Sequence, residues 1–500
     1  MKQAAILLFG LALAATSAAQ DDPREAFERQ RQQMREQFNQ QKQQARRQYD
    51  DARRKAEEEY AAFRKKANEE YAAAMQRAWQ QMGVKPAEEK PKEPEPPKPP
   101  KPKPEQQPTI DRLPQATVVP PIVAPKPVPA PPIKMPEMEL PTMDFTLYGT
   151  PCKVHTRDGD LTFKLSAIDE KTIAATWQTL SGERYDALLH DCLEQRDELR
   201  LSDWGYIQLL KEVSEKLQGK GSNEAVLLQM YLLTQSGYDV RIAKANDRLT
   251  LLVPFSHKIY GYSYTIIGDK DYYVLTREKL KSLNVCNLSF PREKIAEILM
   301  GELPKLMGKM SPTRTFAAER FGTMKADIAT DKNLIAFLND YPLSSAWNYY
   351  ALAGLSEEVK SALYPALRSQ IEGKSIKKQV TMLLDFVQTA FDYATDQDQF
   401  GYERPLFGDE SFYYPKNDCE DRSILFSILV RDLMGLDVVL VHWPGHLATA
   451  VAFPEQVEGD YFTIDGRDYT VCDPTYIGAG VGMTMPNFKN VNAELVKLGR

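Results

Sequence analysis

Between Gly83 and Pro141 the chain carries more than half of its 34 prolines, in runs such as EPEPPKPPKPKPE and VPAPPIKMP. Proline fixes φ and lacks an N–H donor, so a segment this rich in it can build neither a helix interior nor a central strand. Residues 83–141 are therefore expected to be a disordered, polyproline-type spacer that reaches roughly 180 Å when extended at about 3.1 Å per residue. Whatever folds into a core must lie on one side of this tract or the other.

On its N-terminal side, residues 24–82 are charged and Gln-rich, with no glycine or proline. Phe27, Phe38, Tyr49, Tyr60 and Tyr71 recur every 11 residues, Met82 completes the series, and Met34, Ala45, Ala56, Ala67 and Ala78 follow each by seven. Eleven residues make almost a whole number of helical turns, so both series share one stripe of a long helix, about 90 Å at 1.5 Å per residue. The stripe is sparse. A solvated single helix and an oligomerising coiled coil both fit it, and the period kept through five units favours self-association through 24–82.

The N-terminus reads as an export signal, residues 1–19: Lys2, an apolar run from Ala4 to Ala15, then Ser17, Ala18 and Ala19. That run is too short for a final anchor, and no later stretch is apolar enough to span a bilayer. The expected location is the periplasm or the exterior. Net charge is −6, with no basic face and no nucleic-acid motif, so nucleic acid is not an expected partner. Five dispersed cysteines, Cys152, Cys192, Cys286, Cys419 and Cys472, form no disulfide framework. Export leaves a bond such as Cys152 with Cys192 open. Cysteines and histidines show no ligand spacing, and neither a metal nor a cofactor is expected.

Beyond the tract, 43% hydrophobic content can supply at least two cores, with folded structure expected from about 142. The segment Asn417 to Arg422 (NDCEDR) precedes the periodic residues Ile424, Leu425, Ile428 and Leu429, which places Cys419 in the first turn of a helix. Unpaired N–H groups and the positive dipole end there favour a thiolate. Downstream, a β-branched run DVVLV leads through Trp443-Pro444-Gly445 to His446, which opens the strand HLATAVAF, and YTVCDPT ends a third strand at Asp473. A nucleophile, a base and an acid in these settings can form a Cys-His-Asp triad. His442 ends the preceding strand and is read as structural or substrate-facing.

In order and local wording, DCED, GH and DPT resemble the transglutaminase-like superfamily of papain-like fold over roughly residues 376–480. The resemblance implies an α+β papain-like core with Cys419 as nucleophile, His446 as base and Asp473 as the orienting acid. Many members carry an aromatic residue after the histidine, where this chain has Leu447. By analogy with papain-like enzymes, Gln399 is the candidate side-chain donor to an oxyanion, beside the Cys419 N–H. An aromatic loop from Phe391 to Tyr414 is expected to wall part of the cleft, with the rest of its rings in the core.

Residues 223–276 resemble a worn copy of the same segment. Gly237 matches Gly435, 198 residues on, and the same offset pairs Leu227 with Leu425, Asp239 with Asp437, Val253 with Val451, Ile266 with Ile464 and Gly268 with Gly466. After one extra residue it becomes 197, pairing Asp271 with Asp468 and Tyr272 with Tyr469. Gly221, Arg248 and Thr276 occupy the triad positions, and none can do the chemistry. The expected organisation is a degenerate transglutaminase-like domain at 142–300, kept for packing or substrate binding, a connecting α/β region at 301–370, and a catalytic domain at 371–500.

These residues point to an exported cysteine hydrolase that cleaves amide or peptide bonds through a thioester. Its expected substrate is a protein, a peptide or a cell-wall peptide. A protein-crosslinking transamidase and a non-catalytic peptide- or wall-binding protein are the alternatives.

Overall fold

The computed structural model describes residues 23–92, 111–123, 130–133, 135, 140–156, 161–344 and 346–499; the expected export signal lies outside them. The fold is mixed α and β, and the chain falls into two compact units, Met1–Ala61 and Ala62–Arg500.

In the first unit the helix that opens at Pro23 has no core to cover. Phe27, Met34, Phe38 and Tyr49 of the 11-residue stripe are exposed, and ion pairs such as Arg53 with Glu57, 2.8 Å apart, lace its surface. Within the second unit the helix continues with a buried stripe, Arg64, Ala67, Asn68, Tyr71, Ala72 and Met75, at the i, i+3, i+4, i+7 spacing of a packed face. The Tyr71 ring lies 4.9 Å from that of Trp177, and Asn68 Oδ1 accepts from Trp177 Nε1 at 2.9 Å. The helix ends at Met75 rather than at Met82, because Trp79–Met82 leaves it to form an edge strand antiparallel to Leu283–Cys286. Nothing in the sequence before Gly83 stops a helix; a sheet edge overrides the local propensity.

Two six-stranded sheets organise the second unit. The first runs Trp79–Met82, Leu283–Cys286, Arg241–Ala245, Arg248–Pro254, Lys270–Val274, Tyr264–Ile267. The second runs Gln115–Val119, Ala493–Lys497, Val438–Trp443, His446–Val451, Arg467–Cys472, Tyr461–Ile464. Counterpart strands stand in the same order and share register: Ala245 faces Arg248 as Trp443 faces His446, and Val253 pairs with Tyr273 as Val451 does with Thr470. The edges differ, since Trp79–Met82 is antiparallel to its neighbour and Gln115–Val119 parallel. Before each central hairpin runs a largely buried helix, Asn223–Gln235 and Cys419–Met434, followed by a glycine at positive φ, Gly237 and Gly435.

Two expectations change here. Inside the proline tract, the proline-free Gln115–Val119 joins the second sheet, with Leu495 opposite Val118 and Leu113 buried beside it, so the tract is not uniformly an unstructured spacer. Five residues ending in Thr117-Val118-Val119 keep the donors a sheet edge needs. The step from 198 to 197 also falls earlier than glycine matching places it. Ile267 closes its hairpin on Lys270 as Ile464 does on Arg467, so Ile267, not Ile266, is the counterpart of Ile464. Gly268 takes the first turn position in one hairpin and Gly466 the second in the other, and both kinds of two-residue turn need a positive φ there.

Candidate active site

Cys419 is the first residue of the helix Cys419–Met434, whose N-cap is Asp418. Asp421 fixes this start by accepting from the Asp418 N–H at 3.2 Å and from the Leu406 N–H at 2.8 Å. His446 begins the next hairpin's return strand, directly after Gly445 at φ +75°. Asp473 follows the strand Arg467–Cys472 and uses Oδ1 to accept from the N–H groups of Thr475 and Tyr476 at 2.9 and 3.1 Å. That fixes its rotamer and presents Oδ2 to His446 Nε2 at 2.9 Å. Phe488 stacks on the imidazole with the ring centres 5.1 Å apart and the planes 8° from parallel, and it stacks in turn on Trp443.

His446 and Cys419 line one cleft of about 250 Å³, together with Trp347, Asp396, Gln397, Glu403, Asp418, Glu420, His442 and Lys92. His446 Nδ1 has no hydrogen-bond partner among the described residues, and the Cys419 thiol donates to Glu420 Oε2 at 3.1 Å. The structure thus joins His446 to Asp473 and brings Cys419 to the same cleft, without a hydrogen bond between sulfur and imidazole. The five cysteines are all free and buried, so no bond joins Cys152 to Cys192 or Cys472 to Cys419.

The expected thiolate does not describe this state. Burial pushes the Cys419 thiol well above its ordinary range, and Glu420 and Asp418 push the same way. A helix terminus offers roughly half a charge, which desolvation of a buried thiolate beside two carboxyls outweighs. The carboxyls crowd one another too. Burial, then Asp421 and Glu420, raise Asp396 to about 10, and burial, then Glu420, raises Asp421 to about 7. Asp396, Asp418 and Glu420 each offer an oxygen within 4.8 Å of the others, and Asp418 Oδ1 and Glu420 Oε1 have no hydrogen-bond partner among the described residues. These hard oxygen donors are the residues here that suit a divalent cation, a set the spacing of cysteine and histidine could not reveal.

Gln399 is not at the cleft. Its Nε2 donates to the Lys416 carbonyl at 3.1 Å, and Gln397 is the glutamine that lines the cleft wall. The aromatic loop does not wall the cleft either: Phe391 and Phe412 pack with Phe316 in the core, and Trp347 is the aromatic surface beside Cys419. Gln388 and Arg422 escaped the sequence reading. Gln388 Nε2 reaches the carbonyls of Asp473, Tyr476 and Ala479 at 2.9, 3.0 and 3.1 Å. Fully buried Arg422 donates to the carbonyls of Gln388 and Phe391 at 3.0 and 2.7 Å. Arg422's place one turn after Cys419 was the only available signal.

In the first sheet's half, Gly221, Arg248 and Thr276 line one cavity of about 390 Å³. Arg248 donates to the Gly221 carbonyl, and a Cβ built on Gly221 would lie 3.5 Å from Arg248 Nη2. The positions that answer to Cys419, His446 and Asp473 are neighbours here, with no thiol and no imidazole among them. The chain matches no family model, no curated protein and no solved structure.

Proposed function

We propose that this chain is an exported cysteine hydrolase of transglutaminase-like type, cleaving amide or peptide bonds through a thioester at Cys419. The observation that carries the reading is the hydrogen bond from His446 Nε2 to Asp473, which leaves Nδ1 as the ring nitrogen available to the cleft that Cys419 lines. A carboxyl fixed on Nε2 sets the tautomer and stabilises the imidazolium formed when Nδ1 takes a proton. Catalysis begins when the thiol leaves Glu420 and transfers its proton to Nδ1. Sulfur then attacks the carbonyl carbon, and the imidazolium protonates the departing amine. Water, deprotonated by the same imidazole, releases the acid.

Common strand order and register support a papain-like core present in two copies, the first without the chemistry. The apolar run near the N-terminus supports export. A non-catalytic peptide binder is favoured by one specific observation, the Cys419 thiol donating its hydrogen bond to Glu420 and not to His446. A transamidase differs only in its acceptor, an amine in place of water.

The test is to incubate the protein with a peptide library in ¹⁸O-labelled water and identify products by mass spectrometry. New ¹⁸O-bearing carboxylates that vanish with Cys419→Ala support hydrolysis; new isopeptides without label move the reading to transamidation; no product from either protein supports the binder.

A further inference from the structure

We infer that the cleft beside Cys419 contains a subsite for a cationic side chain, built from Trp347 and Glu403, and that Lys90 of this chain is its tethered occupant. The substrate class that follows is a polypeptide bearing lysine close to the bond that is cut. This deepens the proposed function and rests on its reading of the cleft as substrate-binding.

The segment that carries Lys90 is held in place. Lys85 and Tyr264 exchange backbone hydrogen bonds at 2.7 and 3.1 Å, the Gly261 N–H donates to the Glu88 carbonyl at 2.8 Å, and Tyr264 Oη donates to Glu88 Oε1 at 2.8 Å. From there the chain crosses to the cleft. Lys90 is 9% exposed, whereas Glu89, Pro91 and Lys92 around it are exposed, and Lys92 reaches the cleft wall. Its Nζ lies 4.4 Å from the centre of the Trp347 ring and 3.9 Å from Glu403 Oε1.

An ammonium group loses much hydration when buried and needs replacement partners. An aromatic face and a carboxyl supply them without fixed direction. Lys90 Nζ makes no hydrogen bond to any described residue, although an ammonium has three donors. A lysine serving as a permanent staple would engage carbonyls or a close carboxylate. This one sits in a box recognising charge and shape, which another chain's lysine can enter. The box belongs to the site, since Trp347 packs in one apolar cluster with Cys419 and Leu447, and both Trp347 and Glu403 line the cleft.

The test uses full-length protein and a fluorescein-labelled acetyl-Ala-Lys-Pro-Lys-amide peptide, with affinity read by polarisation. Lys90→Ala is expected to bind it about tenfold more tightly than wild type, a difference of about 1.4 kcal/mol. The gain should persist in Lys90→Ala with Cys419→Ser and disappear with Glu403→Gln, a variant that spares the apolar cluster if Trp347→Ala fails to fold. Replacing the peptide's lysines by norleucine should abolish binding. Equal affinity of wild type and Lys90→Ala, absence of binding to both, or undiminished binding of the norleucine peptide would each overturn the subsite. Tight lysine-dependent binding by a protein that hydrolyses nothing would sink the catalytic reading and leave the subsite standing.

Discussion

His446 meets Asp473 through Nε2 at 2.9 Å, and Asp473 is itself held by two backbone N–H groups on its other oxygen. The imidazole's orientation is therefore set from below, independently of anything that happens at the thiol. Asp473→Asn keeps the shape and accepts the same turn hydrogen bonds, but it no longer stabilises an imidazolium. Turnover is expected to fall about 10²- to 10⁴-fold with little change in melting temperature; steady-state kinetics and thermal scans on one preparation check both.

Glu420 restrains the Cys419 thiol. It accepts a hydrogen bond from the Cys419 thiol at 3.1 Å and helps hold the thiol's pKa up, after burial, the larger cause. Removing its charge lowers that pKa, so Glu420→Gln should speed iodoacetamide alkylation of Cys419 severalfold at pH 8. An unchanged rate, measured by peptide mass mapping, would show that the carboxyl exerts no such hold.

Gln388 joins three carbonyls of the Asp473 loop to the helix Ile376–Thr389. Gln388→Ala leaves these buried acceptors without that donor and should cost about 2–3 kcal/mol of stability. Because the loop carries Asp473, activity per folded molecule should fall as well. Denaturant midpoints and active-site titration separate the two effects.

The acidic cluster makes stability depend on pH in an unusual direction. Asp421 titrates near 7 and Asp396 near 10, both raised chiefly by burial. Unfolded aspartates titrate near about 4. The folded state therefore keeps protons that the unfolded state releases, and stability falls as pH climbs from about 4 through 7 and on towards 10. Burial and then Glu420 also raise Asp418 well above the ordinary range, so Asp418→Asn removes a proton uptake whose cost grows with pH and is expected to raise the melting temperature at pH 8 with little effect at pH 4. A gain as large at pH 4 would contradict the assignment.

The exposed stripe of Phe27, Met34, Phe38 and Tyr49 is expected to drive self-association. Sedimentation equilibrium should give an oligomer for the parent chain and a monomer for the Phe38→Lys, Tyr49→Lys double variant. A monomeric parent would mean a solvated helix.

The strands around His446 and the helix behind Cys419 were legible because period, turn residues and caps agree there. The partnership of Cys419 with Glu420 was not, since desolvation and crowding of carboxyls arise only after folding. Trp79–Met82 and Gln115–Val119 were read by local composition as helix and spacer, and sheet edges supplied by residues 283–286 and 493–497 decided otherwise. Gln399 is expected at the cleft only by analogy with papain-like enzymes. A one-turn helix, Asp396–Gln399, turns it onto Lys416 and leaves Gln397 at the cleft.

The most direct measurement is the rate at which a lysine-containing peptidyl vinyl sulfone modifies the protein, with the adduct mapped by mass spectrometry. One adduct is expected, on Cys419, forming at least about 100-fold more slowly in His446→Ala. Equal rates in the two proteins, or an adduct on another cysteine, would contradict Cys419 and His446 as nucleophile and base.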